Sequence, residues 1–242
     1  RPARRGSVGK RINVVRVAAD VDDLRGLVLS DLHVGHQCFD EKMLDYYLGL
    51  LDNDPNMRVL LLGDLHETKM RKSKGLLSEQ AWSLPGQRKF LTRKLKPFAD
   101  RIDGAVMGNH EYRSPDEGGD DPMGVLCECL GVPEDKYFGH FGCVAYCSDK
   151  PRRIAYRLSL KHGASGGTMV GSGLNAVHRQ TCNIEADIYV EGHVHKASCA
   201  GPLQRYVPDL HNGDLPATPY WEITNGSLLN AELSYAEMKG YP

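Results

Sequence analysis

Short apolar runs that break off into residues able to bind metal ions recur along this chain. Leu27-Val28-Leu29 runs into Ser30-Asp31-Leu32-His33, and Val59-Leu60-Leu61-Leu62 into Gly63-Asp64. Residues 102–107 run into Gly108-Asn109-His110-Glu111, and residues 154–160 into Lys161-His162-Gly163. Ala186-Asp187-Ile188-Tyr189-Val190 runs into Glu191-Gly192-His193-Val194-His195. Apolar runs of this length read as buried strands, and the turns after strand C-terminal ends are where α/β sheets build their sites. Residues 12–19, rich in Val and Ile, predict an edge strand. Residues 40–51 carry apolar side chains at 43, 44, 47, 48 and 51, the period of an amphipathic helix, with Asp40 as N-cap. Residues 78–98 predict a second helix, broken at Pro85-Gly86. Residues 114–122 predict an acidic loop, and Pro122 starts a helix that reaches Leu130. Residues 137–147 predict a strand pair or one long strand. Five glycines make 163–173 a loop, and four prolines make 200–219 mostly irregular. No repeat or linker divides the chain, so residues 1–242 read as a single domain, with residues 1–11 a flexible basic tail.

Composition narrows the class. The 242 residues are 41% hydrophobic and 25% charged, with a net charge of −1. That balance excludes disorder as the main state and a uniformly basic nucleic-acid coat. No apolar run approaches the ~20 residues of a membrane span, and none near the N-terminus reads as a signal peptide. The chain starts at Arg1 rather than Met, which leaves its upstream boundary open. Seven cysteines, an odd number, point to reduced thiols and a cytoplasmic setting, that of a host cell if the protein is viral. Cys127-x-Cys129 and Cys143-x3-Cys147 lack the usual zinc-knuckle spacing.

Asp31, His33, Asp64, Asn109, His162, His193 and His195 then stand out as one ligand set. Asp31-x-His33 and His193-x-His195 place two donors two residues apart, which in extended backbone face the same way. Imidazole with carboxylate suits Mn, Fe, Zn, Ni or Co, with Mn favoured. Seven donors are too many for one catalytic ion with an open position. They suit two ions sharing a carboxylate, the arrangement that clamps both oxygens of an in-line displacement at phosphorus.

The ordered series Asp31-x-His33, Gly63-Asp64-x-x-Glu67, Gly108-Asn109-His110-Glu111, His162 and Gly192-His193-x-His195 resembles the calcineurin-like metallophosphoesterase superfamily, over residues 25–196. The resemblance implies an α/β fold, a four-layered α/β/β/α sandwich with a dinuclear metal site at the strand C-terminal ends. It implies that Asp31, His33 and His195 hold one ion, that Asn109, His162 and His193 hold the other, and that Asp64 bridges them. His110 matches the family's non-ligand histidine beside the leaving group, a general acid, although orientation of Asp31 is an alternative role. Glu67, where the family more often has Asp, and Glu111 read as outer groups that fix histidine orientation. The activity implied is metal-dependent phosphoester hydrolysis by a metal-bridging hydroxide.

Charge distribution points toward a substrate. Residues 69–96 hold nine basic residues and one acidic one, a net +8 against −9 for the rest. Lys69, Arg71, Lys72 and Lys74 follow the Asp64 loop, and with His66 and Arg113 they are candidate substrate contacts. His66 itself reads as an exposed residue at the site mouth. A basic face beside metals favours polyanions, with Trp82 and Phe90 available to stack on bases; the plainer reading is a solvated helix with those rings in the core. The sequence thus predicts a phosphodiesterase acting on DNA, RNA or nucleotides. A small-substrate phosphoesterase is the alternative, a protein phosphatase a weaker one, and a scaffold without catalysis the rival from outside enzymology. No membrane partner is expected, and the oligomeric state is left open.

Overall fold

The structure, a computed structural model, describes residues 12–18, 21, 23–69, 79–116, 119–149, 155–163 and 171–230. The basic tail predicted at 1–11, together with Arg71, Lys72 and Lys74, lies outside the described residues.

Among the described residues nine strands form two sheets: β1 (Ile12–Val17), β2 (Gly26–Leu29), β3 (Arg58–Leu61), β4 (Ile102–Ala105), β5 (Phe141–Ser148), β6 (Ala155–Lys161), β7 (Ile188–Glu191), β8 (Ser198–Tyr206) and β9 (Ala217–Thr224). The smaller sheet runs β2-β3-β4, all parallel; the larger runs β1-β5-β6-β7-β9-β8, with β1 at its edge. The α-helices among the described residues are α1 (Glu41–Asn53), α2 (Leu84–Leu95), α3 (Asn109–Asp116), α4 (Pro122–Leu130) and α5 (Ser172–His178).

Alternation along the strands produces four layers. Leu60, on β3, faces Val144, Tyr146, Leu160 and Val190 across the gap between the sheets. Its neighbours Val59 and Leu61 face the other way, into a core with Leu44, Leu48 and Leu51 of α1, Phe90, Leu91 and Leu95 of α2, and Met123, Leu126 and Leu130 of α4. On β7, Val190 joins the gap between the sheets while Tyr189 packs outward with Val177 of α5. The layers are therefore α1, α2 and α4, then the small sheet, then the large sheet, then α5. Period-2 alternation with both faces apolar is what a doubly covered sheet requires, and each fully buried Leu contributes about 2 kcal/mol.

Several local expectations shift. Asp40 caps α1 by accepting the Met43 amide at 2.9 Å, but Met43 itself is exposed, so the buried stripe is Leu44, Leu48 and Leu51. Pro85-Gly86 does not break a helix; it begins one, because proline fits a first turn where its missing N–H has no partner to lose. Ser114 to Asp116, predicted as loop, finish α3. Residues 137–140 are a bridge and a turn, and only β5 follows. The largest departure is 200–219, which holds most of β8 and the start of β9. Pro202 falls at the register shift of β8, an edge strand, where proline is tolerated. Pro219 precedes the stretch of β9 that pairs with β7, so its lack of an N–H breaks no bond there. Among the described residues no helix is long and apolar enough to cross a membrane.

Candidate metal centre

The ends of β2, β3, β4, β6 and β7 carry the seven predicted donors, and the fold brings all seven to one place between the two sheets. Oxygen or nitrogen atoms of Asp31, His33 and His195 lie within 4.8 Å of one another, and so do those of Asp64, His162 and His193. Asn109 joins the second group, its Oδ1 3.1 Å from His162 Nε2. Asp64 stands between the groups, because it also clusters with His33 and His110. Asp31 and Asp64 are buried, while His195 is 36% exposed and marks the mouth.

The backbone that presents these groups is not the extended chain the two-residue spacing suggested. Asp31, His33, Asp64, His193 and His195 all have φ between 49° and 68°. A non-glycine residue there costs on the order of 1–3 kcal/mol, and such residues gather at functional sites. Left-handed residues let the ends of β2, β3 and β7 curl so that side chain and backbone both turn inward. Glycines make room for the curl. A Cβ on Gly108 would stand 2.1 Å from Asp64 Oδ1, and one on Gly192 2.1 Å from Ser30 Oγ and 2.6 Å from Asp31 Oδ2.

Hydrogen bonds then fix which nitrogen each imidazole turns to the centre. His162 Nδ1 donates to the Leu62 carbonyl at 2.8 Å, and His33 Nδ1 lies 2.9 Å from Glu67 Oε2. In the neutral rings this leaves each Nε2 as a lone pair turned to the centre, where a cation or a proton must meet it. His33 Nε2 faces His195 Nε2 at 3.1 Å, and His162 Nε2 faces Asp64 Oδ2 at 3.0 Å. Lone pairs so close repel unless a cation or a proton lies between them. The electrostatics agree. Burial alone would disfavour a charged His162, yet Asp64 and Asp31 push it up to about 10. Burial likewise opposes the charge on Asp64, but His162 and His110 hold it well below the usual carboxylate range. The donor chemistry therefore fits divalent cations.

The surrounding groups divide differently from expectation. Glu67 does orient His33. Glu111 holds backbone instead: it accepts the amides of Asp64 (2.8 Å), Gly108 (3.0 Å) and His66 (2.9 Å). His66 is not at the mouth; it is fully buried, with Nδ1 3.3 Å from Glu111 and Nε2 without a partner. His110 lies beside Asp64 and Glu67 rather than Asp31: its amide donates to Asp64 Oδ1 at 2.7 Å and its Nδ1 to the Glu67 carbonyl at 2.5 Å. Burial pushes its imidazole down to about 4, with His33 and Arg113 acting the same way and Asp64 and Glu67 against. Two contacts had no counterpart in the sequence reading. Ser227 Oγ and the Leu228 amide reach the Asp31 carbonyl at 2.9 and 3.1 Å. The only sequence signal there is the turn-like Asn225-Gly226-Ser227 after β9.

Three of the six described basic residues of the segment, Lys69, Arg88 and Lys94, are held in ion pairs. Lys69 is 5% exposed and pairs with Glu79, with Glu67 Oε1 3.6 Å away. Arg88 pairs with Asp120, Lys94 with Glu41 and Asp45, and Lys96 donates to the Leu130 carbonyl. Phe90 is in the core with Trp82 edge-on at 5.1 Å, so Phe90 is no open stacking platform, while Trp82 is 37% exposed. Cys127 and Cys129 lie on α4 and Cys143 and Cys147 on β5, all as free thiols.

No protein-family profile and no curated protein sequence matches the chain. Among solved structures, it is similar to YfcE, a phosphoesterase from E. coli, with 18% identity and a TM-score of 0.44 over 84% of this chain and 79% of that one. It is also similar to YfkN, a calcineurin-like phosphoesterase from Bacillus subtilis, with 10% identity and a TM-score of 0.35 over 85% and 81%.

Proposed function

We propose that this chain is a metal-dependent phosphoester hydrolase of the calcineurin-like kind, a phosphodiesterase acting on nucleotides or nucleic acid. The observation that carries the reading is the confrontation of imidazole lone pairs and buried carboxylates in one crevice. Asp31, His33 and His195 would hold one ion, Asn109, His162 and His193 a second, and Asp64 both. Divalent ions so held supply charge for the phosphoryl oxygens and a water activated near neutral pH. The N/O donor mix accepts Mn, Fe, Zn, Ni or Co, and Mn is the ion proposed.

The chain's own residues do the rest. Glu67 fixes the His33 tautomer, and Glu111 fixes the loops that carry Asp64 and Asn109. His110 commits Nδ1 to the Glu67 carbonyl, so Nε2 is the atom that passes a proton to the leaving oxygen. Because burial leaves the free imidazole uncharged at neutral pH, that role belongs to the substrate complex, where a phosphoryl anion favours the charged form.

The class is tested with chelated protein reloaded with Mn²⁺. Elemental analysis is expected to find two ions per chain, and bis-p-nitrophenyl phosphate hydrolysis is expected to return only with the metal. Loaded protein without turnover overturns the enzyme reading; no bound metal overturns the site.

A further inference from the structure

Lys69 and Arg113 are the described members of the basic set expected to touch substrate, and Arg113 sits on α3. Lys69 is turned inward. Its side chain is almost wholly buried, with the ammonium between two carboxylates, Glu79 and Glu67 Oε1, the latter at 3.6 Å. Lysine is almost never buried without such partners, so its placement here calls for a purpose.

Both carboxylates are carried by tethered backbone. A left-handed turn at Thr68 (φ 32°) separates Glu67 from Lys69. The Glu67 amide donates to Gln87 Oε1 at 3.1 Å, and the Lys69 amide to Gln80 Oε1 at 2.6 Å. The segment that bears Glu79 is docked on the loop after β2: the Gln37 amide binds the Glu79 carbonyl at 3.0 Å, and the Ala81 amide the Gly35 carbonyl at 2.7 Å. The ammonium therefore links the loop that follows Asp64 to a segment fastened beside His33.

Glu67 is where that link meets the metal centre. Its Oε2 faces His33 Nδ1 at 2.9 Å and His110 Nδ1 at 3.5 Å, while its Oε1 faces Lys69. The terminal torsion of a glutamate is broad, so a carboxylate held through one oxygen can still turn. A cation on the other oxygen removes that freedom and keeps Oε2 on His33. His162 has no such arrangement, since its Nδ1 donates to the fixed Leu62 carbonyl at 2.8 Å.

We infer that Lys69 is a positioning residue for the ion that Asp31, His33 and His195 would hold, acting through Glu67 on His33 and not on substrate. The ion of Asn109, His162 and His193 does not depend on it. Loss of the ammonium then weakens one ion and spares the other. This rests on the two-ion reading above.

The test is Mn²⁺ titration, read by elemental analysis and electron paramagnetic resonance. It compares wild type with Lys69→Met and with Lys69→Met/Glu79→Gln, which removes the Lys69–Glu79 pair whole and leaves the net charge of the cluster unchanged. The double variant carries the test if the single one does not fold, since deleting both partners of a buried pair costs far less than deleting one. Wild type is expected to bind two ions and show a spin-coupled spectrum. Both variants should bind one ion as wild type does and the other about 10–100-fold more weakly. At the Mn²⁺ concentration that saturates wild type they should show the spectrum of an isolated ion. Adding His195→Ala to either variant should release no further metal. Wild-type affinity for both ions in Lys69→Met overturns the role, as does equal weakening of both. Full recovery in the double variant overturns it too, because Lys69 would then only balance Glu79. Release of the remaining ion by His195→Ala would place the effect at the wrong ion. If wild type binds no Mn²⁺, the metal reading has failed; if wild type and both variants bind two ions alike, the role of Lys69 alone has.

Discussion

Glu111 Oε2 accepts the backbone amide of Asp64 at 2.8 Å, across 47 residues of chain. The same carboxylate takes the amides of Gly108 and His66. Burial by itself would raise its pKa, but the His66 bonds hold it lowered. One side chain thus spans the two loops that present Asp64 and Asn109. Glu111→Ala is expected to destabilise the fold by about 3 kcal/mol, since it strands several buried donors, and to reduce bound metal. Urea midpoints with an unchanged m-value, with metal content alongside, decide it. Wild-type stability and metal content would show that the loops hold without the carboxylate.

Gly192→Ala probes the close approach behind Asp31. The added methyl would stand 2.6 Å from Asp31 Oδ2, so the carboxylate must move. Metal binding should be lost ahead of the fold. Gly49→Ala is the control: it lies in α1 with nothing within 4 Å of the new Cβ. It should gain about 0.5–1 kcal/mol from helix propensity and leave metal content alone.

Acid stability should report the Asp187–Arg157 pair. The Arg157 amide, Nε and Nη2 lie 2.8, 3.1 and 2.9 Å from Asp187. Burial would raise the carboxyl's pKa; the Arg157 bonds outweigh it and lower it. A depressed folded pKa means stability that is fully present above the unfolded value of about 3.9 and lost as pH falls through the folded one. The stability advantage of wild type over Asp187→Asn should therefore shrink below about pH 4. An advantage independent of pH from 2 to 7 would remove the charge argument.

Thiol reactivity should divide by burial. Cys129, Cys182 and Cys199 are exposed and Cys147 half-buried, while Cys38, Cys127 and Cys143 are buried. Burial, with Asp121 and Glu128 nearby, pushes the Cys127 thiol up to about 12, and burial raises Cys143. Ellman's reagent should modify three thiols quickly, one slowly and three only in denaturant. Rapid reaction of all seven would contradict the packing around α4 and β5.

How far the chain could be read in advance depended on whether a signal was local. Leu44, Leu48 and Leu51 announce α1 because a helix buries one face at a fixed period. Pro202 and Pro219 concealed β8 and β9, since proline's compatibility with a strand depends on which side has a neighbour, a fact of the sheet and not of the segment. The seven residues brought together at the crevice were visible because they follow five separate apolar runs. Their left-handed backbone was not, as spacing carries no dihedral angle. The burial of His66 and the reach of Glu111 to three amides were hidden for a similar reason: both are made by a loop and a helix far apart in sequence. The pairing of Lys94 with Glu41 and Asp45 likewise needed α1 and α2 to be packed first.

The contacts of Ser227 and Leu228 with the Asp31 carbonyl set an order on assembly. The crevice draws on residues from Asp31 to Leu228, spread over both sheets. A nascent chain emerging from the ribosome therefore holds no complete ligand set until β7 and its loop have been made, and no supported Asp31 until the segment after β9 follows. Contacts this distant along the chain form late and slowly. On the proposed reading, metal capture then becomes a closing event of folding.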